Sequence, residues 1–187
     1  MFGWFNSSLM AACSRMQVSH AHRRWLGLSA VELVGSLPLL GSVLYVSHDH
    51  LVESPASALS GWLVERAELA PLMRTQVVAA VSDISVEGPR EWLECHDVRG
   101  TLLARLFLLP DTDYLAWDAL LAQGAPLPRA PWRHIAAPRC VAAWPIAFRH
   151  RRMAGLTVLG AVEVRRLSAL GRSVAVEVAR EAGIGVP

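Results

Sequence analysis

Lysine is missing from this chain: all 18 of its basic side chains are arginine, set against 16 aspartates and glutamates for a formal charge of +2. Such a bias, alongside abundant alanine, leucine, valine and glycine, is what GC-rich coding produces, so the small positive charge does not point to nucleic acid. No recognised nucleic-acid module accompanies it, and no nucleic-acid partner is expected. Cysteine is scarce too. Cys13, Cys95 and Cys140 are odd in number, far apart and without a C-x-x-C spacing, which argues against a disulfide framework or a zinc finger and fits a reducing cytoplasm. The longest apolar stretches, around Leu37 to Val46 and Leu156 to Val164, are too short or too interrupted to cross a bilayer, so no membrane insertion is expected. An apolar part ends at Cys13 with no basic residue ahead of its core, and it is not read as a leader. G-x-S-x-G, P-loop, dinucleotide and H-E-x-x-H signatures are all absent, and no catalytic residue is assigned.

Apolar residues are present in excess. Of 187 residues 53% are hydrophobic, and the mean hydropathy of +0.33 implies a buried sheet or a face that meets a partner. The length suits one domain over 1–187, with a core at about 26–123, a proline-rich connection over 124–145 and a terminal strand and helix over 146–187. Cys95 and Cys140 read as small buried residues, and Trp92, Trp117 and Trp132 as core anchors before cleft walls. Arg149-His150-Arg151-Arg152 reads as a solvated turn.

The clearest local signal runs from Arg90 to Gln123. Trp92, Leu93 and Cys95, interleaved with Glu91, Glu94 and His96, read as a half-buried strand, and Asp97-Val98-Arg99-Gly100 supplies a tight turn. The apolar run after Thr101 should return as a strand antiparallel to the first, stopped at Pro110. A helix should follow, capped by Asp111 or Thr112, favoured by Asp113, and closed by a left-handed Gly124. Upstream, Ser29 and Glu32 form a capping box before a short helix, Gly41 to Ser47 reads as a strand, and residues before 25 read as a helix. Gln76 to Val86 reads as one strand or two, broken near Ser82-Asp83. The five prolines between Ala125 and Pro145 argue for an extended connection. Met153 to Val164 reads as strand, and Ser168 to Ala182 as a helix ending at Gly183.

The hairpin and helix of 90–123, with Leu26-Gly27-Leu28-Ser29-Ala30-Val31-Glu32-Leu33, Leu37-Pro38-Leu39-Leu40-Gly41-Ser42-Val43 and Ser47-His48-Asp49-His50-Leu51-Val52-Glu53, resemble the HemS-type family of haem-utilisation, or hemin-degrading factor, proteins. The resemblance covers roughly half of the chain. It implies an α+β fold with a mainly antiparallel sheet, haem as cofactor and partner, and cytoplasmic haem binding or hand-over. On this resemblance His50 falls on a family histidine and is the candidate iron ligand, with His48 beside it. Arg105 stands where the family has lysine, and is the candidate propionate contact. Two positions depart from the family. Val52-Glu53-Ser54 replaces a V-H-E pattern, and Glu87 replaces an arginine, so haem breakdown is expected less than haem binding. A tandem family architecture implies that a single copy pairs as a homodimer. Two other readings stay open: a family-fold interaction module that binds no haem, and a divalent metal shared by His48 and His50 across Asp49.

Overall fold

The computed structural model describes residues 21–49, 59–85, 88–133 and 135–184. Among these residues nine strands form one sheet in the order β3, β9, β8, β2, β6, β5, β4, β1, β7. They are β1 (His22–Gly27), β2 (Gly41–His48), β3 (Trp62–Val64), β4 (Val77–Ser85), β5 (Gly88–His96), β6 (Leu102–Thr112), β7 (Ala125–Leu127), β8 (Cys140–Met153) and β9 (Leu156–Glu163). Every neighbouring pair is antiparallel except β3 with β9. Among the described residues three α-helices complete the α+β fold: α1 (Ala30–Ser36), α2 (Tyr114–Gln123) and α3 (Ala169–Glu181).

β2 shows why the sheet is covered on both faces. Its residues from Val43 to His48 are all buried, so alternation sends every second side chain into a different core. Val43 and Tyr45 join Leu33, Leu37, Leu72, Leu93, Leu106 and Trp117 beneath α1 and α2. Leu44 and Val46 join Leu109, Ala143, Val178 and Ala179 beneath α3. The Tyr45 hydroxyl, buried with its ring, donates to the Glu68 carbonyl at 2.6 Å, which satisfies the one polar atom it brings into the core.

The Trp92–His96 hairpin forms as the sequence implies, with Trp92 opposite Phe107, Leu93 opposite Leu106 and Glu94 opposite Arg105. The Ser29–Glu32 capping box opens α1, and Ser168 caps α3, which gives way to Gly183 at φ +71. Elsewhere the structure corrects the reading. Pro110 does not stop β6, which continues to Thr112 because the β2–β6 register shifts between Gly41 and Val43 and leaves the proline at the irregularity, where no ladder donor is needed. There Thr112 Oγ1 accepts from Leu109 N at 2.8 Å and donates to the Ser42 carbonyl at 2.5 Å. The α2 cap is Asp113, accepting from Ala116 N at 3.0 Å. Asp111 is used elsewhere, accepting from Ser168 N and Oγ at 2.8 and 2.9 Å at the start of α3.

Gly124 is not left-handed; at φ −75 it is extended, and a Cβ there would stand 2.8 Å from Leu26 Cβ, so close packing is the reason for glycine. The helix expected before residue 25 falls mostly on residues 1–20, outside the described residues; its end, from His22, lies in β1, paired along β4, which itself runs unbroken through Ser82-Asp83. The proline-rich span contributes β7 and the start of β8. Pro145 fits inside β8 because its carbonyl, accepting from Val164 N, points to the β9 side, and its missing N–H points the same way, one residue short of where β9 pairing begins. Arg149 to Arg152 lie on β8, not in a turn; Arg149 and Arg151 both reach Glu65, at 3.0 and 2.9 Å. The turn comes at Ala154-Gly155, where both φ values are positive.

Candidate functional site

Register across five strands brings chemistry-bearing residues to the α3 face. Val46, Arg105, Glu94, Ala79 and Trp25 form one row, and Leu44, Phe107, Trp92, Val81 and Arg23 form the next. His48 meets Cys140, which packs on the α3-side core, and His96 packs on Trp25 of the first row, so both imidazoles are on that face as well. His48 and Arg105 are thus brought to one face of adjacent strands. His50 lies outside the described residues, as do Glu53 and Glu87.

Glu94 organises the centre of this face. It is buried, and its carboxylate accepts from Arg105 Nε at 3.2 Å, Trp92 Nε1 at 3.3 Å and Arg23 Nε at 3.4 Å. Burial opposes its ionisation, but the charges of Arg105 and Arg23 and the Trp92 hydrogen bond outweigh that, holding the carboxyl well below the usual carboxylate range. Both arginines meet Glu94 through Nε, and among the described residues no other hydrogen bond or ion pair holds either guanidinium. Their Nη groups remain as outward donors, since the two side chains keep 43% and 29% of their exposure. Next to them Trp92 and Phe107 stack, with centroids 5.4 Å apart and an interplanar angle of 26°.

The other end of the face is closed. His96 is completely buried between Trp25 and Trp132, each ring centroid 5.5 Å from its own. Among the described residues neither of its ring nitrogens has a hydrogen-bond partner, Nε2 standing 3.8 Å from Glu94, beyond bonding reach. Trp132 is fixed over this end by donating from Nε1 to the Val98 carbonyl at 2.7 Å. His48, read from sequence as part of an open turn, is instead the last residue of β2 and only 4% exposed, with Nε2 3.4 Å from Cys140 Sγ.

No protein-family model matches the chain, and no curated protein matches it. Two solved structures are similar in arrangement. One is the heme degrading enzyme ChuS of Escherichia coli O157:H7, at 15% identity, covering 57% of this chain and 35% of that one with a TM-score of 0.41. The other is holo-PhuS, a heme-binding protein from Pseudomonas aeruginosa, at 19% identity, covering 65% and 39% with a TM-score of 0.42. The chain matches less than two fifths of the length of either.

Sequence reasoning missed most of this site. Glu94 and His96 looked like the solvent side of a half-buried strand, whereas α3 and the Trp132 segment cover that side and both residues are buried. The usable signal was that Trp92, Glu94 and His96 share one alternation phase, an apolar ring among two titratable groups. Arg23 went unseen because β1 was read as helix. Cys95 is buried as expected, on the α1 and α2 side, and burial pushes its thiol up to about 12. Among the described residues no three metal-ligating side chains come together, and no helix is long and apolar enough to cross a membrane.

Proposed function

We propose that this chain binds haem on the α3 face of its sheet, as a cytoplasmic haem-binding or hand-over protein. The observation that carries the reading is the Arg23–Glu94–Arg105 cluster: one buried carboxylate orients two guanidiniums outward beside a stacked Trp92–Phe107 pair, on the face that holds His48. Haem, when bound, brings an iron that takes an imidazole ligand and two propionates that need cationic donors. Arg105 and Arg23 supply planar donors suited to carboxylates, and the aromatic pair supplies apolar surface. His48 is the described iron-ligand candidate, and His50 remains the ligand that the family resemblance favours. A homodimer completes the reading, and light scattering at micromolar concentration tests it separately.

The experiment is a titration of the purified protein with hemin, followed at the Soret band. A saturable shift is expected, displaced in wavelength in the His48→Ala/His50→Ala double variant. Linear, non-saturating change in the wild-type protein rejects the function, and an unaltered band in the double variant rejects the ligand assignment. A second reading, an interaction module that binds no haem, draws on one observation: Arg105 Nε and His48 Nε2 already have protein partners.

A further inference from the structure

On the opposite face of the sheet, beneath α2, the structure leaves a cavity of about 230 Å³. Alternation turns His22, Arg24 and Leu26 of β1 to that face, since Trp25 between them packs with His96 on the α3 side. Register then sets Arg24 beside Ala80 in one row, and His22, Ser82 and Glu91 in the next. Trp117 and Leu121, one turn apart on α2, form the other wall. Gly124 lets the end of α2 close on Leu26, and the cavity opens beyond that contact, toward Arg24 and His22.

The polar groups around this space are unspent. Among the described residues the side chains of His22, Arg24, Ser82 and Glu91 take part in no hydrogen bond or ion pair. β4 separates β1 from β5, so Arg24 and Glu91 rise from strands about 10 Å apart, and a cation and a carboxylate share one cleft without neutralising each other. Trp117 adds a further open group: it is 2% exposed, and its Nε1 has no hydrogen-bond partner. A buried donor in that state calls for an acceptor that the surrounding residues do not supply.

We propose that this cavity binds a free aromatic α-amino acid, its carboxylate on Arg24, its ammonium on Glu91 and its ring against Trp117 and Leu121. Guanidinium and carboxylate match as planar partners, and indole and ring match as apolar faces. An amino and a carboxyl group on one carbon, each extended by a hydrogen bond, span about 8 Å, the scale of separation that one intervening strand sets. The volume lies below the range of about 300–1,000 Å³ that drug-sized ligands fill, so the space suits one small molecule and is too small for a porphyrin. Arg23, Glu94 and Arg105 are on the other face, and the inference does not depend on haem.

Calorimetric titration of the intact chain tests it with three probes: L-phenylalanine, 3-phenylpropionate, which lacks the ammonium, and 2-phenylethylamine, which lacks the carboxylate. L-phenylalanine should saturate with a micromolar to low-millimolar Kd, and each truncated probe should bind about tenfold more weakly, the worth of one charged hydrogen bond. Arg24→Gln should weaken L-phenylalanine about tenfold and leave 2-phenylethylamine unchanged; Glu91→Gln should weaken it as much and leave 3-phenylpropionate unchanged. Both side chains are exposed, so the fold should survive either change, which unfolding melts verify. No saturable heat with L-phenylalanine overturns the site. Wild-type affinity for L-phenylalanine in either variant, or equal losses for all three probes, overturns the assignment of the two charges.

Discussion

Glu94 and Arg105 face each other as directly paired residues of β5 and β6, Oε1 to Nε at 3.2 Å, with the carboxylate almost wholly buried and the guanidinium partly in water. The carboxyl is held well below its ordinary range, so its contribution to stability is full above the unfolded value, about pH 4.3, and is lost as pH falls toward the folded one. Glu94→Gln should therefore cost about 1–3 kcal/mol at pH 7, toward the low end because both arginines are part-exposed, and should flatten the acid limb between about pH 4 and 2. Urea melts across that range check it; parallel curves for wild type and variant contradict the account.

Loss of the outward cations should weaken hemin more than it weakens the fold. Arg23→Leu and Arg105→Leu should each lower hemin affinity about tenfold, the worth of one charged hydrogen bond. The Lys variants should recover only part of it, because an ammonium cannot present a planar fork. Equal affinities in all four variants would remove the cluster from the site.

At Gly160 the Glu65 carboxylate crosses β9 to reach Arg149 and Arg151, and an added Cβ would meet both Glu65 Oε2 and Arg149 Nε. Gly160→Ala should lower stability by about 1 kcal/mol by displacing that bridge. Combined with Glu65→Ala, the further loss should be close to nothing, since the two changes remove the same interaction. Strict additivity in the double-mutant cycle would show that Gly160 matters for another reason.

Trp132 shields His96. Trp132→Ala removes an indole that packs on the imidazole and donates to Val98, and diethyl pyrocarbonate should then modify His96, which the wild-type protein protects. Mass spectrometry of the peptide carrying His96 gives the result directly, and equal labelling in both proteins refutes the shielding.

Local chemistry was legible in the sequence wherever near neighbours decide the structure. The Ser29–Glu32 box, the Asp97–Gly100 turn and the α3 end at Gly183 all depend on residues within a few positions. What failed was decided at long range. β1 became a strand because Val77 to Ser82 lies alongside it, and Pro145 was admitted to β8 because pairing with β9 begins only at the next residue, Ile146. The same holds for the site: Arg23, Glu94 and Arg105 are 71 and 11 residues apart along the chain, and only sheet register assembles them. His48 was named from sequence, but not its burial, since Cys140 arrives from 92 residues away.

The place of β8 has a consequence for how the chain reaches its final form. β2, from the first quarter of the sequence, is flanked by β6 on one side and by β8 on the other, so one of its edges stays bare until the last third of the polypeptide has emerged. That edge belongs to a strand of valine, leucine and tyrosine, the kind of surface that seeds strand-to-strand association between chains. Formation should accordingly be slow and sensitive to concentration, as long-range closure is. A ribosome-bound intermediate ending after α2 would be the species that needs a chaperone.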